Sequence, residues 1–281
     1  MTLKSLLERG VSRLESAGVE SPLLDARLLL EHVSGLSRTA IAAHPERETD
    51  SETAEKYDAL IARRAGREPL AYIIGSRAFY DLCLKIVPGV LVPRQETELP
   101  VDAALNALAG KDTLLDVCCG SGAIGIAAAK HAPGVKVYAS DISDVAVNLS
   151  KENGKEFANY EVRKGDLFAP FEGMTFDVIV SNPPYIPSPD LDMLQPEVAE
   201  HEPRTALDGG FDGLDFYGRI FAEGPRYLAP DGVIIVEIGV GQSAEVAEIA
   251  RLAGADSVTV TDDYGGIPRV VTARFKRKDL P

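Results

Sequence analysis

The sequence predicts an α/β protein, a doubly wound sheet of seven strands with an antiparallel hairpin at its edge, preceded by a small N-terminal helical bundle. Three observations predict it. Apolar residues recur at helical spacing over residues 1–75, short β-branched runs alternate with helical stretches from about residue 113, and the last two runs lie too close together for a helix between them.

Leu3, Leu7, Val11 and Leu14 form the first helical stripe, with Gly18 as its stop. Ser21-Pro22 opens a second helix, Ser21 as N-cap and Pro22 in the first turn, followed by Leu24, Leu28 and Leu29 and closed by Gly35. Ser37 starts a short third helix. A fourth runs from near Ser51 through Tyr57, Leu60 and Ile61 to Arg64, before Gly66 and Pro69. Between Leu70 and Val92 aromatic and β-branched residues flank Asp81, the pattern of a hairpin, so residues 76–92 read as a connector. Residues 93–281 form the second domain, with strands expected at 113–118, 135–140, 160–164, 176–181, 232–237, 257–261 and 269–275. The last two are joined through Tyr264-Gly265-Gly266-Ile267-Pro268.

A chain of 281 residues accommodates one large α/β domain and a small one. With 45% hydrophobic and 26% charged residues it has the balance of a soluble protein, and no apolar run approaches the roughly 18 residues a membrane helix needs. Met1 to Arg9 carries charge and lacks a continuous apolar stretch, so the expected location is cytoplasmic. A net charge of −14 argues against a broad grip on phosphate backbones, so no direct nucleic-acid substrate is expected. Cys83, Cys118 and Cys119 lack metal-ligand spacing and read as reduced, mostly buried small residues. His32, His44, His131 and His201 are scattered, which leaves no evident general base; no metal is expected.

The strand at 113–118 runs through Asp116 into Cys118-Cys119-Gly120-Ser121-Gly122-Ala123-Ile124-Gly125, with a helix starting near Ala123. Gly120 and Gly122 allow the backbone to approach a ligand closely. Asp141 ends the next strand, where a carboxylate can accept bonds from ribose hydroxyls; its other reading is a helix cap. Asp116 either contacts the ligand or hydrogen-bonds the glycine loop. Gly120-x-Gly122-x-x-Gly125 also satisfies the dinucleotide fingerprint, so the loop alone does not separate methyl from hydride chemistry.

The fourth strand carries a second signal. Phe176 to Ser181 is followed by Asn182-Pro183-Pro184-Tyr185. Consecutive prolines hold Asn182 extended and leave its side-chain carbonyl and nearby main-chain carbonyls as aimed acceptors, with Tyr185 as a flat wall. Such acceptors orient a planar NH2 group toward an electrophile, which a hydride enzyme does not require. Turn and packing roles are the competing readings of Asn182 and Tyr185. Glu96, Thr97 and Glu98 read either as contacts to a ligand's amino-acid end or as N-caps of the following helix. The stretch Asp190 to Asp215 reads as a mobile loop or a long surface connection.

With these motifs in register, the chain resembles the HemK (PrmC) family of S-adenosylmethionine-dependent methyltransferases, which modify the Gly-Gly-Gln glutamine of class I peptide chain release factors. The resemblance spans almost the whole chain. It rests on Glu68-Pro69-Leu70-Ala71-Tyr72-Ile73-Ile74-Gly75, Leu91-Val92-Pro93-Arg94-Gln95-Glu96-Thr97-Glu98, the glycine loop, Asn182-Pro183-Pro184-Tyr185-Ile186, Glu202-Pro203-Arg204, Ala206-Leu207-Asp208-Gly209-Gly210, Asp212-Gly213-Leu214, Glu237-Ile238-Gly239 and Gly241-Gln242. It implies a Rossmann-like class I methyltransferase sheet and release factors as partners, with the helical bundle helping to dock them. S-adenosylmethionine is then the cofactor, S-adenosylhomocysteine its product.

By that resemblance Cys118, Cys119, Gly120, Ser121, Gly122 and Asp141 bind the cofactor, Asp166 and Leu167 flank its adenine, and Asn182 touches both ligands. The Asn182 side-chain oxygen and the Pro183 main-chain carbonyl hold the glutamine NH2, with Pro184 and Tyr185 completing the substrate pocket. The family usually has glycine at position 118, proline at 95 and, in some members, an aromatic at 167. A β-carbon at Cys118 disfavours positive φ. Other readings are methylation of adenine N6 or of a ribosomal protein, a nicotinamide-dependent oxidoreductase, and a non-catalytic scaffold that binds release factors.

Overall fold

The computed structural model describes residues 1–276 and divides into two compact units, Met1–Ser76 with Gln195–His201, and Arg77–Leu194 with the chain from Glu202 onward.

The first unit contains α1 (Leu3–Ser16), α2 (Pro22–Ser34), α3 (Arg38–Ala43), α4 (Ser51–Ala65) and α5 (Leu70–Ile74). Leu3, Leu6, Leu14, Leu29, Leu30, Tyr57 and Ile61 are buried together as its core. Thr2, Ser37 and Asp50 cap α1, α3 and α4 by accepting backbone N–H bonds. Ser21 occupies the cap position of α2 without a side-chain bond, since its ψ of 61° departs from the extended backbone that aims a capping hydroxyl; Pro22 does sit in the first turn. Residues 70–74 are helical, so the predicted hairpin narrows to β1 (Ser76–Phe79) and β2 (Leu82–Lys85). No hydrophobic period signals that Gln195–His201 joins this unit. Ion pairs hold it there: Glu197 Oε1 accepts from Arg64 Nη2 at 2.8 Å, and Glu197 Oε2 from Arg67 Nη2 at 2.5 Å. Arg64 also pairs with Asp25 at 2.7 Å.

The second unit adds α6 (Glu98–Ala107), β3 (Thr113–Val117), α7 (Ala123–His131), β4 (Lys136–Asp141), α8 (Asp144–Gly154), β5 (Tyr160–Lys164) and β6 (Phe176–Ser181). The short helix α9 (Pro196–Ala199) lies within the first unit; α10 (Asp215–Glu223), β7 (Leu228–Glu237), α11 (Ser243–Leu252), β8 (Ser257–Asp262) and β9 (Pro268–Phe275) complete the second. The seven-stranded sheet has the order β5-β4-β3-β6-β7-β9-β8. Strands β3 to β7 are parallel, and β9 runs antiparallel to both its neighbours. β7 starts at Leu228, earlier than its apolar run predicts, through an irregular register in which Asp231 adopts φ 58°.

Strand order reverses between β3 and β6, and ligands of doubly wound sheets bind at the carboxyl ends flanking such a switch point. The dinucleotide-binding sheet is mostly parallel with its six strands in the order 3-2-1-4-5-6, and the antiparallel β9 inserted between β7 and β8 departs from that order, against the hydride-enzyme reading.

The stretch Asp190 to Asp215 holds helical turns at Ser188–Met193, Pro196–Ala199 and Arg204–Ala206, and Ile186 bridges Asp208. Of the cysteines, Cys119 is buried, Cys118 half-buried and Cys83 exposed; Cys83 lies on the outward face of the two-stranded ribbon, which no second layer covers. Among the described residues no helix is long and apolar enough to cross a membrane.

Candidate active site

The loop after β3 takes up left-handed backbone three times, at Cys118 (φ 60°), Gly120 (φ 55°) and Gly122 (φ 84°). Cys118 holds that conformation despite its β-carbon, at a typical expense of 1–2 kcal/mol for an L-residue. At Gly122 a side chain has no room: a β-carbon would lie 2.6 Å from Ser150 Oγ and 2.7 Å from Ile126 Cδ1. Gly125 meets the Tyr160 ring in the same way, so the third glycine of the fingerprint is a packing residue.

Two carboxylates brace the loop. Asp141 Oδ2 accepts from Gly120 N–H and Oδ1 from Ser143 N–H, both at 2.9 Å; Ser143, not Asp141, caps α8. Burial pushes the Asp141 pKa up, against those backbone bonds. Asp116 is 1% exposed, and its Oδ2 accepts from Gly125 N–H at 2.9 Å. Its Oδ1 has no partner, and Asp116 lines the cavity described below, so the bond to the glycine loop is present and the second oxygen stays free for a ligand. Burial, with a smaller contribution from the Asp141 charge, pushes Asp116 up to about 8; the Gly125 bond opposes.

Beyond β5, Asp166 pairs with Arg219 at 2.7 Å, and buried Leu167 adopts φ 46° with its carbonyl accepting from Ser140 Oγ at 2.6 Å.

The end of β6 is held from several sides. Ser181 Oγ donates to the Val117 carbonyl at 2.7 Å, tying β6 to β3. Gln242 Nε2 donates to the Tyr185 carbonyl at 2.9 Å while its Oε1 accepts from Gly239 N–H at 2.9 Å. A β-carbon at Gly209 would lie 2.8 Å from Tyr185 Cα and 2.9 Å from the Pro184 carbonyl oxygen; one at Gly213 would overlap the Tyr185 carbonyl, and one at Gly239 would come within 3.1 Å of the Tyr185 ring. Gly209 and Gly213 therefore admit the Pro184-Tyr185 backbone. Burial, aided by the Glu237 charge, pushes the Tyr185 hydroxyl up to about 12.

Asn182 Nδ2 donates to Thr97 Oγ1 at 3.1 Å. Thr97 stands at the N-cap of α6 but makes no capping bond, and Glu98 Oε1 accepts instead from Tyr80 N–H at 2.8 Å, so neither residue caps the helix through its side chain. Behind them lies Glu237, 2% exposed at the end of β7. Burial pushes its carboxyl up to about 7, against hydrogen bonds from Thr97 and Asn182.

These parts surround one cavity of about 680 Å³. Cys118, Cys119, Gly120, Ser121, Asp141, Asp166, Leu167, Asn182 and Pro184 line it; Gly122, Pro183 and Tyr185 do not, the first shaping the turn and Tyr185 packing behind the wall. Thr97, Ile142, Arg204 and Asp215 also line the cavity. Thr97 is legible as a candidate ligand contact and Arg204 as part of Glu202-Pro203-Arg204, whereas Ile142, next to Asp141, and Asp215 carry no signal of their own in the sequence.

Residues 5–75 match the PrmC N-terminal domain family and residues 98–195 the methyltransferase small domain family. The catalytic domain of hMettl16, solved in complex with an RNA hairpin, shares the fold with a TM-score of 0.56 at 17% identity, over 79% of this chain and 84% of that one. A methyltransferase from Pyrococcus furiosus has a TM-score of 0.52 at 18% identity, over 77% of this chain and 98% of that one. The release factor glutamine methyltransferase of Geobacter sulfurreducens is 40% identical over 98% of this chain and 97% of its own length. That of Rhodospirillum rubrum is 42% identical over 98% of this chain and 85% of its own. With its glycine loop, its Asn-Pro-Pro-Tyr strand end and this identity along nearly its whole length, the chain belongs to the release factor glutamine methyltransferase family.

Proposed function

We propose that this protein transfers a methyl group from S-adenosylmethionine to the side-chain amide nitrogen of the Gly-Gly-Gln glutamine of class I peptide chain release factors. The observation that carries the reading is that Asn182 and the glycine loop with Asp141 line one cavity.

The residues fit the cofactor. Asp116 offers a buried, unpartnered oxygen to a cationic amino group. Asp141 lines the cavity and would accept from ribose hydroxyls, while Ile142 and Leu167, which line it too, would supply apolar walls for adenine. When bound, S-adenosylmethionine supplies an electrophilic methyl on a sulfonium.

An amide nitrogen is a weak nucleophile because its lone pair is delocalised, so placement must do most of the work. Asn182 Oδ1, which faces the cavity, is the acceptor that would hold the NH2 group with its nitrogen in line with the methyl carbon, at roughly 3–3.5 Å; the resemblance adds the Pro183 carbonyl, although Pro183 is not among the cavity-lining residues. The same acceptors would stabilise the positive charge that builds on nitrogen as the C–N bond forms and the methyl–sulfur bond breaks to leave S-adenosylhomocysteine, the surplus N–H proton then passing to water. The 40% identity along the chain supports the substrate assignment, and the residues 5–75 match supports a docking role for the helical unit.

The test is transfer of label from S-adenosylmethionine to a purified release factor. Incorporation confined to the Gly-Gly-Gln glutamine is expected; undiminished labelling after that glutamine is replaced overturns the reading.

A further inference from the structure

The strands that meet the cavity stand in the same order as the parts of the proposed cofactor. The glycine loop leaves β3, Asp141 ends β4 and Asp166 follows β5, and these three strands are consecutive in the sheet. Gly165 N–H donates to the Asp141 carbonyl at 2.9 Å, which ties the second and third strand ends side by side. With the amino-acid end at β3 and the ribose at Asp141, the base falls at Asp166.

Helix α10 reaches that place as well. Phe216 and Arg219, three residues apart and so on one face of the helix, both line the cavity. Arg219 Nη2 donates to Asp166 Oδ2 at 2.7 Å, and the guanidinium carbon lies 5.8 Å from the centre of the Phe216 ring, within cation–π reach. The guanidinium is therefore gripped at two points. The Arg219 and Asp166 side chains are 42% and 49% exposed, and an ion pair so accessible to water contributes little to stability. Its consequence is for the cavity. With Oδ2 taken by Arg219, Asp166 keeps Oδ1, which has no hydrogen-bond partner among the described residues. An ionised carboxylate fixed through one oxygen presents the other in a set direction, as an acceptor only.

We propose that Arg219 is a positioning residue of the base subsite, which turns the free oxygen of Asp166 toward the exocyclic amino group of the base and so makes the cavity select an aminopurine. The proposal rests on S-adenosylmethionine being the methyl donor. Arg219 acts through Asp166, and the acceptor it aims matches the NH2 donor of adenine.

The test is calorimetric titration with S-adenosylhomocysteine and with its 6-deamino analogue, in which hydrogen replaces the amino group. Wild type should prefer the amine by about tenfold or more, the typical value of one hydrogen bond to a charged group. Arg219→Ala should reduce that preference to about threefold or less by weakening S-adenosylhomocysteine alone, with affinity for the analogue within about twofold of wild type. Ligand-free melting should move by no more than about 3 °C, since the pair is exposed. Arg219→Lys keeps a donor for Oδ2 without the planar fork, and should restore part of the preference. Asp166→Ala removes the acceptor and should abolish the preference; adding Arg219→Ala to it should then change either affinity by less than about twofold, because residues that act through one another are not additive.

An unchanged preference in Arg219→Ala overturns the proposal, as does an equal loss for both ligands, or a loss of the same size when Asp166 is already alanine. Wild-type protein that binds the two ligands equally, or binds neither, overturns it too. If the preference behaves as expected while labelled S-adenosylmethionine modifies no release-factor glutamine, the proposed substrate fails and the role of Arg219 stands.

Discussion

Asn182 and Asp116 stand on the neighbouring strands β6 and β3 and differ in how they respond to pH. Asn182 has one end of its amide committed to Thr97, and in the proposed reaction its replacement by alanine would remove an acceptor that is most valuable as charge develops on the substrate nitrogen. Asn182→Ala should lower turnover by about 100-fold or more while the dissociation constant for S-adenosylhomocysteine changes only a few-fold. Steady-state kinetics with equilibrium binding checks this, and retained activity would remove Asn182 from the chemistry. Asp116 is instead a carboxyl that resists ionisation, raised from 3.8 to about 8 mainly by burial. The native state keeps its proton where the unfolded chain has lost it. Its favourable contribution is thus complete below about pH 4 and is lost progressively as pH rises to about 8. Asp116→Asn should flatten that part of the stability curve, so ligand-free thermal melts between pH 5 and 8 should converge on, or cross, those of wild type as pH rises.

At the scale of elements, the Asn-Pro-Pro-Tyr strand end is positioned by neighbouring backbone as much as by its own prolines. Gly209 and Gly213 let the loop after β6 lie against the segment leading into α10, and Gln242 at the start of α11 clips the Tyr185 carbonyl. Gly209→Ala would force a β-carbon to within 2.9 Å of the Pro184 carbonyl oxygen and 2.8 Å of Tyr185 Cα, neither of which is a flexible side-chain tip. A destabilisation of about 1–3 kcal/mol is expected from overpacking, and turnover should fall tenfold or more because a shift on the order of 1 Å at a reacting geometry is expensive. Wild-type melting and turnover in this variant would show that the contact can relax.

At the scale of the whole molecule, each unit has its own core, and a segment distant in sequence completes the helical one. Glu197 supplies that completion through Arg64 and Arg67. Burial works to raise its pKa, but the bonds from Arg67 and Arg64 outweigh burial and lower it. A carboxylate lowered in this way stabilises the protein above its unfolded value of 4.5, and the stabilisation is lost as pH falls through the folded value. Glu197→Ala should cost about 1–3 kcal/mol near pH 7, since Arg64 retains Asp25. The melting difference from wild type should narrow on acidification. A constant difference across that range would deny the ion pairs their role.

Much of this protein is determined by local sequence. Helical stripes, β-branched runs and glycine stops are short-range patterns, so helices α1 to α4, the strands of the sheet, the glycine loop and the Asn-Pro-Pro-Tyr strand end could be read without coordinates, whereas the short α5 and α9 could not. Strand order was only partly legible: alternation predicts a doubly wound sheet, but only hydrogen-bond pairing inserts β9 between β7 and β8. What tertiary structure alone decided are pairings between residues distant in the chain. Thr97 and Glu98 look like helix caps by spacing, yet one turns to Asn182 and the other to Tyr80. Glu237 reads as the polar end of a buried strand, and Glu197 as one acid among many. The physical reason is the same in each case: a side chain's hydrogen-bond partner is set by which strand ends and loops the fold brings within about 3 Å, and no local period encodes that distance.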